Sequence, residues 1–162
     1  MKYCHSCGKI LELRMIEQKQ RPFCSQCQRI YYAQLKVGAA GLIEQEEKLL
    51  LIQRTNIPFR DCWNLPAGYV EVDESPLQAV IREVYEETGL QVEIERLVDV
   101  YFFDDDPRGN GILIVYKCIP VGGKLTETLE GVKPTFFKAS NFPKNLAGGG
   151  HNQAVLAWKE IS

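Results

Sequence analysis

The sequence predicts an α+β fold with a small cysteine-rich module in front of it, on three observations. Apolar runs of strand length recur along the chain, joined by turn residues. One segment, Ser75-Pro76-Leu77-Gln78, carries the full set of helix-start signals. Four of the six cysteines form two CxxC pairs near the N-terminus.

The module covers residues 1–33. Cys4-x-x-Cys7 and Cys24-x-x-Cys27 are separated by 16 residues, a spacing that reads as a Zn²⁺ site. Four thiolates close a tetrahedral structural site with no position left for water. A redox dithiol or a pair of disulfides is the alternative that the same residues leave open. The stretch from Ile10 to Leu13 suggests a hairpin between two knuckles, so this is a zinc ribbon folded largely by its metal. Cys62 and Cys118 stand alone and read as small apolar side chains.

The second domain covers residues 35–162. Val37–Ile43 and Lys48–Arg54 read as a hairpin around the turn Glu44–Glu47. Trp63–Glu71 reads as a loop and short strand. Ser75 caps a helix that Pro76 opens, and Gln78 completes a capping box. This helix runs to Thr88, where Gly89 ends it in a left-handed conformation. Strands follow at Glu93–Phe103 and Ile112–Pro120, joined by the acidic turn Asp104–Gly111. Val121–Gly123 begins a connection, Thr135–Lys138 is a short strand, and His151–Glu160 closes the chain as a helix.

Bulk properties exclude several classes. Hydrophobic residues make up 45% of the chain, enough for a packed core. No apolar run approaches the ~18–20 residues of a membrane span, so no membrane partner is expected. The N-terminal residues lack an apolar signal core, which makes the cytoplasm the expected compartment. Net charge is −2. Residues 1–34 hold six basic and two acidic side chains. This local excess is read as a solvated surface, and nucleic acid is not an expected partner.

The chemistry concentrates on the helix after Ser75. At ~100° per residue, Leu77, Val80, Ile81 and Val84 fall on one side and Glu83, Glu86 and Glu87 on the other. Three carboxylates spaced i, i+3 and i+4 repel one another. A hard divalent cation such as Mg²⁺ removes the conflict and bridges carboxylates to phosphates. The pattern thus points to phosphate chemistry with metal-activated water.

Gly68, Glu74, Arg82-Glu83-Val84, Glu86-Glu87 and Gly89-Leu90 together resemble the Nudix box, G-x5-E-x7-R-E-U-x-E-E-x-G-U with U aliphatic. All nine constrained positions over these 23 residues match. The resemblance implies a mixed sheet sandwiched between helices (α/β/α) and hydrolysis of a pyrophosphate bond with Mg²⁺ or Mn²⁺. It implies that Glu83 and Glu87 are the main metal ligands, with Glu86 a further ligand or water-holding neighbour and the Ala67 carbonyl a fourth contributor. Arg82 and Glu74 become a salt bridge that fixes the helix to its incoming loop. The general base is left open among Glu127, Glu130, Asp104, Asp105 and Asp106. Tyr69, Phe59, Trp63, Tyr101 and Phe103 are the rings available to stack on a base.

A four-cysteine ribbon before such a domain is similar to NADH pyrophosphatases and to short Nudix enzymes acting on ADP-ribose or FAD, over roughly residues 3–140. The Ser-Gln-Pro-Trp-Pro-Phe-Pro run of the NADH enzymes is missing after Leu90. The expected substrate is therefore ADP-ribose or FAD, a nucleotide-derived small molecule, with AMP released. NADH, nucleoside triphosphates and capped RNA are the alternative substrates. A non-catalytic nucleotide sensor whose ribbon binds nucleic acid is the alternative of another class. The resemblance also allows a homodimer.

Overall fold

The computed structural model describes residues 2–128 and 131–161. Its contacts divide the chain into two compact units, Met1–Gln34 and Leu35–Ser162.

The first unit is a three-stranded antiparallel sheet in the order β1 (Glu12–Ile16), β2 (Lys19–Cys24), β3 (Arg29–Ile30). Glu17 and Gln18 make the β1–β2 turn with φ of 50° and 63°. Two successive left-handed residues match the twist of a two-residue hairpin. Cys4 and Cys24 are buried, whereas Cys7 and Cys27 are exposed. Few other apolar groups are enclosed here, as expected of a unit this small.

The second unit is a seven-stranded mixed sheet between two helices. Its main path runs β10 (Gly131–Lys138), β5 (Lys48–Arg54), β4 (Lys36–Gln45), β9 (Gly111–Gly123), β8 (Leu90–Phe103). Short β6 (Trp63–Asn64) pairs with β5, and β7 (Ala67–Tyr69) pairs with β4. Among the described strands, β4 and β9 are the pair that runs parallel. Central β4 is buried along most of its length, which explains why it reads as an unbroken run of small and apolar residues. The β4–β5 turn is tighter than the sequence suggests. β4 extends through Gln45 while β5 starts at Lys48 as predicted, leaving Glu46 and Glu47 alone at φ of 50° and 57°.

Helix α1 (Pro76–Thr88) forms as predicted, with the Ser75–Gln78 capping box present and Gly89 left-handed at φ 74°. Its buried face differs from the predicted one. Val80 and Val84 are fully buried, but Leu77 and Ile81 are 46% and 41% exposed. The helix is centred on the i, i+4, i+7 line Val80, Val84, Glu87, so Leu77 and Ile81 fall on its flank. Each buried valine contributes about 2 kcal/mol, more than the ~1 kcal/mol of a cap. Packing therefore sets the orientation. Gly41 on β4 makes the close approach possible, since a Cβ there would lie 2.5 Å from Val84 Cγ2.

Helix α2 (His151–Ile161) covers the other face, where Ala154, Val155 and Trp158 pack on Leu42, Leu49, Leu51 and Val115. Val121–Gly123, expected to leave the sheet, stay in β9. Gly122 lies opposite Gln91, and register shifts in β8 absorb the mismatch along this long pair. Among the described residues, no helix is long and apolar enough to cross a membrane.

Candidate active site

The four cysteines form one group, with ligand atoms all within 4.8 Å of one another. Cys4 Sγ lies 3.9 Å from Cys27 Sγ, and Cys7 Sγ lies 3.6 Å from Cys24 Sγ. Sulfurs tetrahedral about zinc at ~2.3 Å would lie about 3.8 Å apart, so the arrangement fits that ion. Tyr31 reaches in from the end of β3. Its hydroxyl donates to Cys4 Sγ at 3.0 Å and accepts the His5 backbone N–H at 3.1 Å. In the metal-free cluster that Tyr31 bond holds the Cys4 thiol down at about 5, while Cys7 pushes Cys27 up to about 12. This is the asymmetry expected when neighbouring sulfurs share one negative charge.

The second site is a cleft of about 370 Å³ in the larger unit. Glu83 and Glu87 line it, with Ala67 and Gly68 of β7 and Glu71 of the loop that follows. Glu87 lies on the core side of α1 and is only 8% exposed, against the expectation that all three glutamates share the solvent side. Seven residues bring the helix nearly back to the Val80 line, which explains this placement. The Ala67 N–H donates to Glu87 Oε2 at 2.7 Å. Ala67 lies opposite Ala40, while the flanking bonds Gly41 N–H to Pro66 O and Val70 N–H to Val37 O tie the neighbouring pairs. Ala67 is thus a non-hydrogen-bonded pair, with its N–H and C=O turned away from β4. Gly68 serves close approach, because a Cβ there would collide with the Glu83 carboxylate.

Glu86 does not join Glu83 and Glu87 in the cleft lining. It is exposed and accepts from Arg82 at 2.9 Å. Arg82 is a hub. It grips Glu74 through two bonds of 2.6 and 3.1 Å, and adds Glu83 at 2.6 Å and the Tyr69 carbonyl at 3.2 Å. The Arg82 guanidinium holds the Glu74 carboxyl below the usual carboxylate range, and Glu74 raises Arg82 in return.

The acidic turn divides by role. Asp106 is buried and bound by Arg108 at 2.7 Å, which holds its carboxyl below its ordinary value. Asp105 accepts the Gly149 N–H at 2.9 Å, and Asp104 is exposed. Glu127 accepts the Lys133 N–H at 3.0 Å and does not line the cleft. Glu130 lies outside the described residues. Of these base candidates only Asp106 lines the cleft, and its ion pair occupies it.

Among the aromatic candidates, Trp63 packs edge-on against Phe137 and Tyr101 lines a different cleft. Phe103 is buried in the core and also lines the cleft. Tyr69 has Lys36 and Arg108 over its ring, each 5.4 Å away. Phe59 lines the cleft and packs against the Gly148 backbone, where a Cβ would lie 2.7 Å from its ring, so no slot lies between the two.

Sequence reasoning passed over Arg54, Arg108, Glu71 and His151, all of which line the cleft. Arg54 ends the apolar run of β5, and His151 follows three glycines at a helix start. Those were the available signals. The arrangement places two carboxylates, suited to a hard cation, in one cleft with two guanidinium groups suited to phosphate oxygens.

The NUDIX domain family model matches residues 33–155. An ADP-ribose pyrophosphatase of Methanocaldococcus jannaschii is 42% identical over 114 residues, covering 70% of this chain and 68% of that protein. The NAD-capped RNA hydrolase NudC of Shigella flexneri is 37% identical over 97 residues, covering 60% of this chain but 37% of its own length. A crystal structure of a NUDIX hydrolase from Nitrosomonas europaea superposes with a TM-score of 0.84 at 29% identity, covering 99% of this chain and 91% of that one. The acidic helix, its supporting arginine and these likenesses agree, and the chain belongs to the NUDIX domain family as a pyrophosphohydrolase.

Proposed function

We propose that this enzyme hydrolyses the pyrophosphate bond of ADP-ribose or FAD, releasing AMP, with Mg²⁺ or Mn²⁺ held by Glu83, Glu87 and the Ala67 carbonyl. The observation that carries this reading is the sharing of one cleft by Glu83, Glu87, Arg54 and Arg108. A divalent cation at the carboxylates supplies charge neutralisation of phosphate oxygens and acidifies a bound water. The rest of the work falls to the chain itself. Arg82 orients Glu83 and keeps Glu86 beside it. Glu74 fixes Arg82, and the Ala67 N–H orients Glu87. Arg54 and Arg108 offset the charge of the phosphates, and the ring of Phe59 offers an apolar surface for a base. The similarity to the Methanocaldococcus jannaschii protein, named an ADP-ribose pyrophosphatase, supports the choice of substrate.

Zn²⁺ in the four-cysteine ribbon of residues 1–33 is assigned a structural role, because four sulfurs complete its coordination. Residues 35–162 are assigned the catalytic role.

The test is a substrate panel with Mg²⁺: ADP-ribose, FAD, NADH, dNTPs and NAD-capped RNA, with products separated by chromatography. AMP and ribose 5-phosphate from ADP-ribose, or AMP and FMN from FAD, at the highest kcat/KM in the panel support the reading. A higher kcat/KM for capped RNA would favour a second reading, to which the likeness to NudC points.

A further inference from the structure

The floor of the cleft holds a residue that the proposed chemistry leaves unused. His151 opens α2, lines the same cleft as Glu83 and Glu87, and is 8% exposed. The three preceding glycines deliver it there. The Gly149 N–H is tied to Asp105, and a Cβ on Gly150 would press on Leu113 Cβ at 3.0 Å.

His151 Nδ1 is enclosed and has no hydrogen-bond partner among the described residues. A neutral imidazole carries one N–H and one bare nitrogen. Enclosing a donor without an acceptor is the rarer arrangement, so the proton belongs on Nε2 and Nδ1 keeps its lone pair. The ring stays neutral at ordinary pH, since burial, with Arg54 nearby, pushes its pKa down to about 3. Arg54 lines the same cleft, and its Nε donates to the Pro58 carbonyl at 3.3 Å. The N-terminal end of α2 adds a positive field. Asp105 is the opposing charge in this loop, and it is engaged by the Gly149 N–H.

We propose that His151, donating through Nε2–H beside Arg54, forms a phosphoryl-oxygen subsite that sets substrate affinity, distinct from the cation subsite of the glutamates. The identity of the substrate rests on the function proposed above; the subsite itself does not.

Two variants test it. His151→Phe keeps a ring and removes both nitrogens. His151→Gln can return an amide N–H near the position of Nε2. With ADP-ribose and Mg²⁺, His151→Phe should raise KM about tenfold with kcat within about twofold. His151→Gln should recover most of that loss. The free His151→Phe protein should melt at the wild-type temperature or higher, because Nδ1 loses no protein partner. An unchanged KM, a glutamine variant no better than phenylalanine, or a melting temperature lower by more than about 10 °C would each overturn the subsite. If the wild-type protein leaves both ADP-ribose and FAD intact, the substrate reading fails alone. The subsite is then judged by calorimetric binding of inorganic pyrophosphate. Weaker binding by His151→Phe, restored in His151→Gln, supports it, and equal affinities in all three proteins overturn it.

Discussion

The Glu83 carboxylate occupies the space that a Cβ on Gly68 would need. A Gly68→Ala change therefore displaces the carboxylate proposed to hold the cation rather than core packing. The expected result is a fall in kcat of about 100-fold with a melting temperature near that of the wild type. Steady-state kinetics and a thermal melt on the same preparation check this. Retained activity would show that Glu83 tolerates a different position.

Glu87 is the buried member of the acidic set and accepts the Ala67 N–H. Glu87→Gln keeps an acceptor oxygen and removes the charge. Turnover should drop by about 10³-fold while the circular dichroism spectrum stays unchanged. The thermal midpoint should stay near that of the wild type, because the amide oxygen still accepts the Ala67 N–H. Metal titration should show weaker Mn²⁺ binding.

Arg82 joins Glu74, Glu83 and Glu86 through one planar fork. Lysine keeps the charge and loses the fork. Arg82→Lys should lower stability by about 1 kcal/mol and activity by about tenfold. Denaturant melts and kcat separate the two effects.

Stability should depend on mild acid through His151. Its folded pKa is depressed to about 3, whereas an unfolded histidine titrates near ~6.5. Below that value the unfolded chain takes up a proton that the native ring refuses. Stability is fully present above the unfolded pKa and falls as pH drops, by about 1.4 kcal/mol per unit at most. The His151→Phe protein should show a flatter profile between pH 6.5 and 5. Glu74 and Asp106 act lower, since both are held below their ordinary values. Their contribution is present above the usual carboxylate range and lost as pH falls below it.

Metal removal should act on the small unit. Chelation of zinc should unfold residues 1–34, where the four sulfurs lie, and leave the larger unit's helical signal in place. Tyr31→Phe removes the bond to Cys4 and should speed zinc release about tenfold, read with a chromogenic chelator. Equal release rates would mean that this hydroxyl does not steady the sulfur.

Much of this architecture was legible because local signals agreed with the global fold. Ser75, Pro76, Gln78 and Gly89 mark α1 to the residue, and the apolar run Val37–Ile43 marks β4 as a strand. The face of α1 was less legible. Periodicity alone assigns Leu77 and Ile81 to the core, yet Gly41 decides where the helix settles, and that contact joins distant segments. Glu83, Glu87, Arg82 and Glu74 were visible through spacing. Arg54, Arg108 and His151 were not, because the end of β5, the turn after β8 and the start of α2 bring them to the cleft and no short pattern links them. The buried pairing of Asp106 with Arg108 was equally hidden within a turn whose composition resembles any solvated one.

The cleft takes one wall from α2, while Glu83 and Glu87 come from α1 on the opposite face of the sheet. Its formation therefore reports that α2 has docked on Leu42, Leu49 and Val115. Loosening α2 would open that wall and leave the acidic helix seated on Ala39, Ile43 and Leu50.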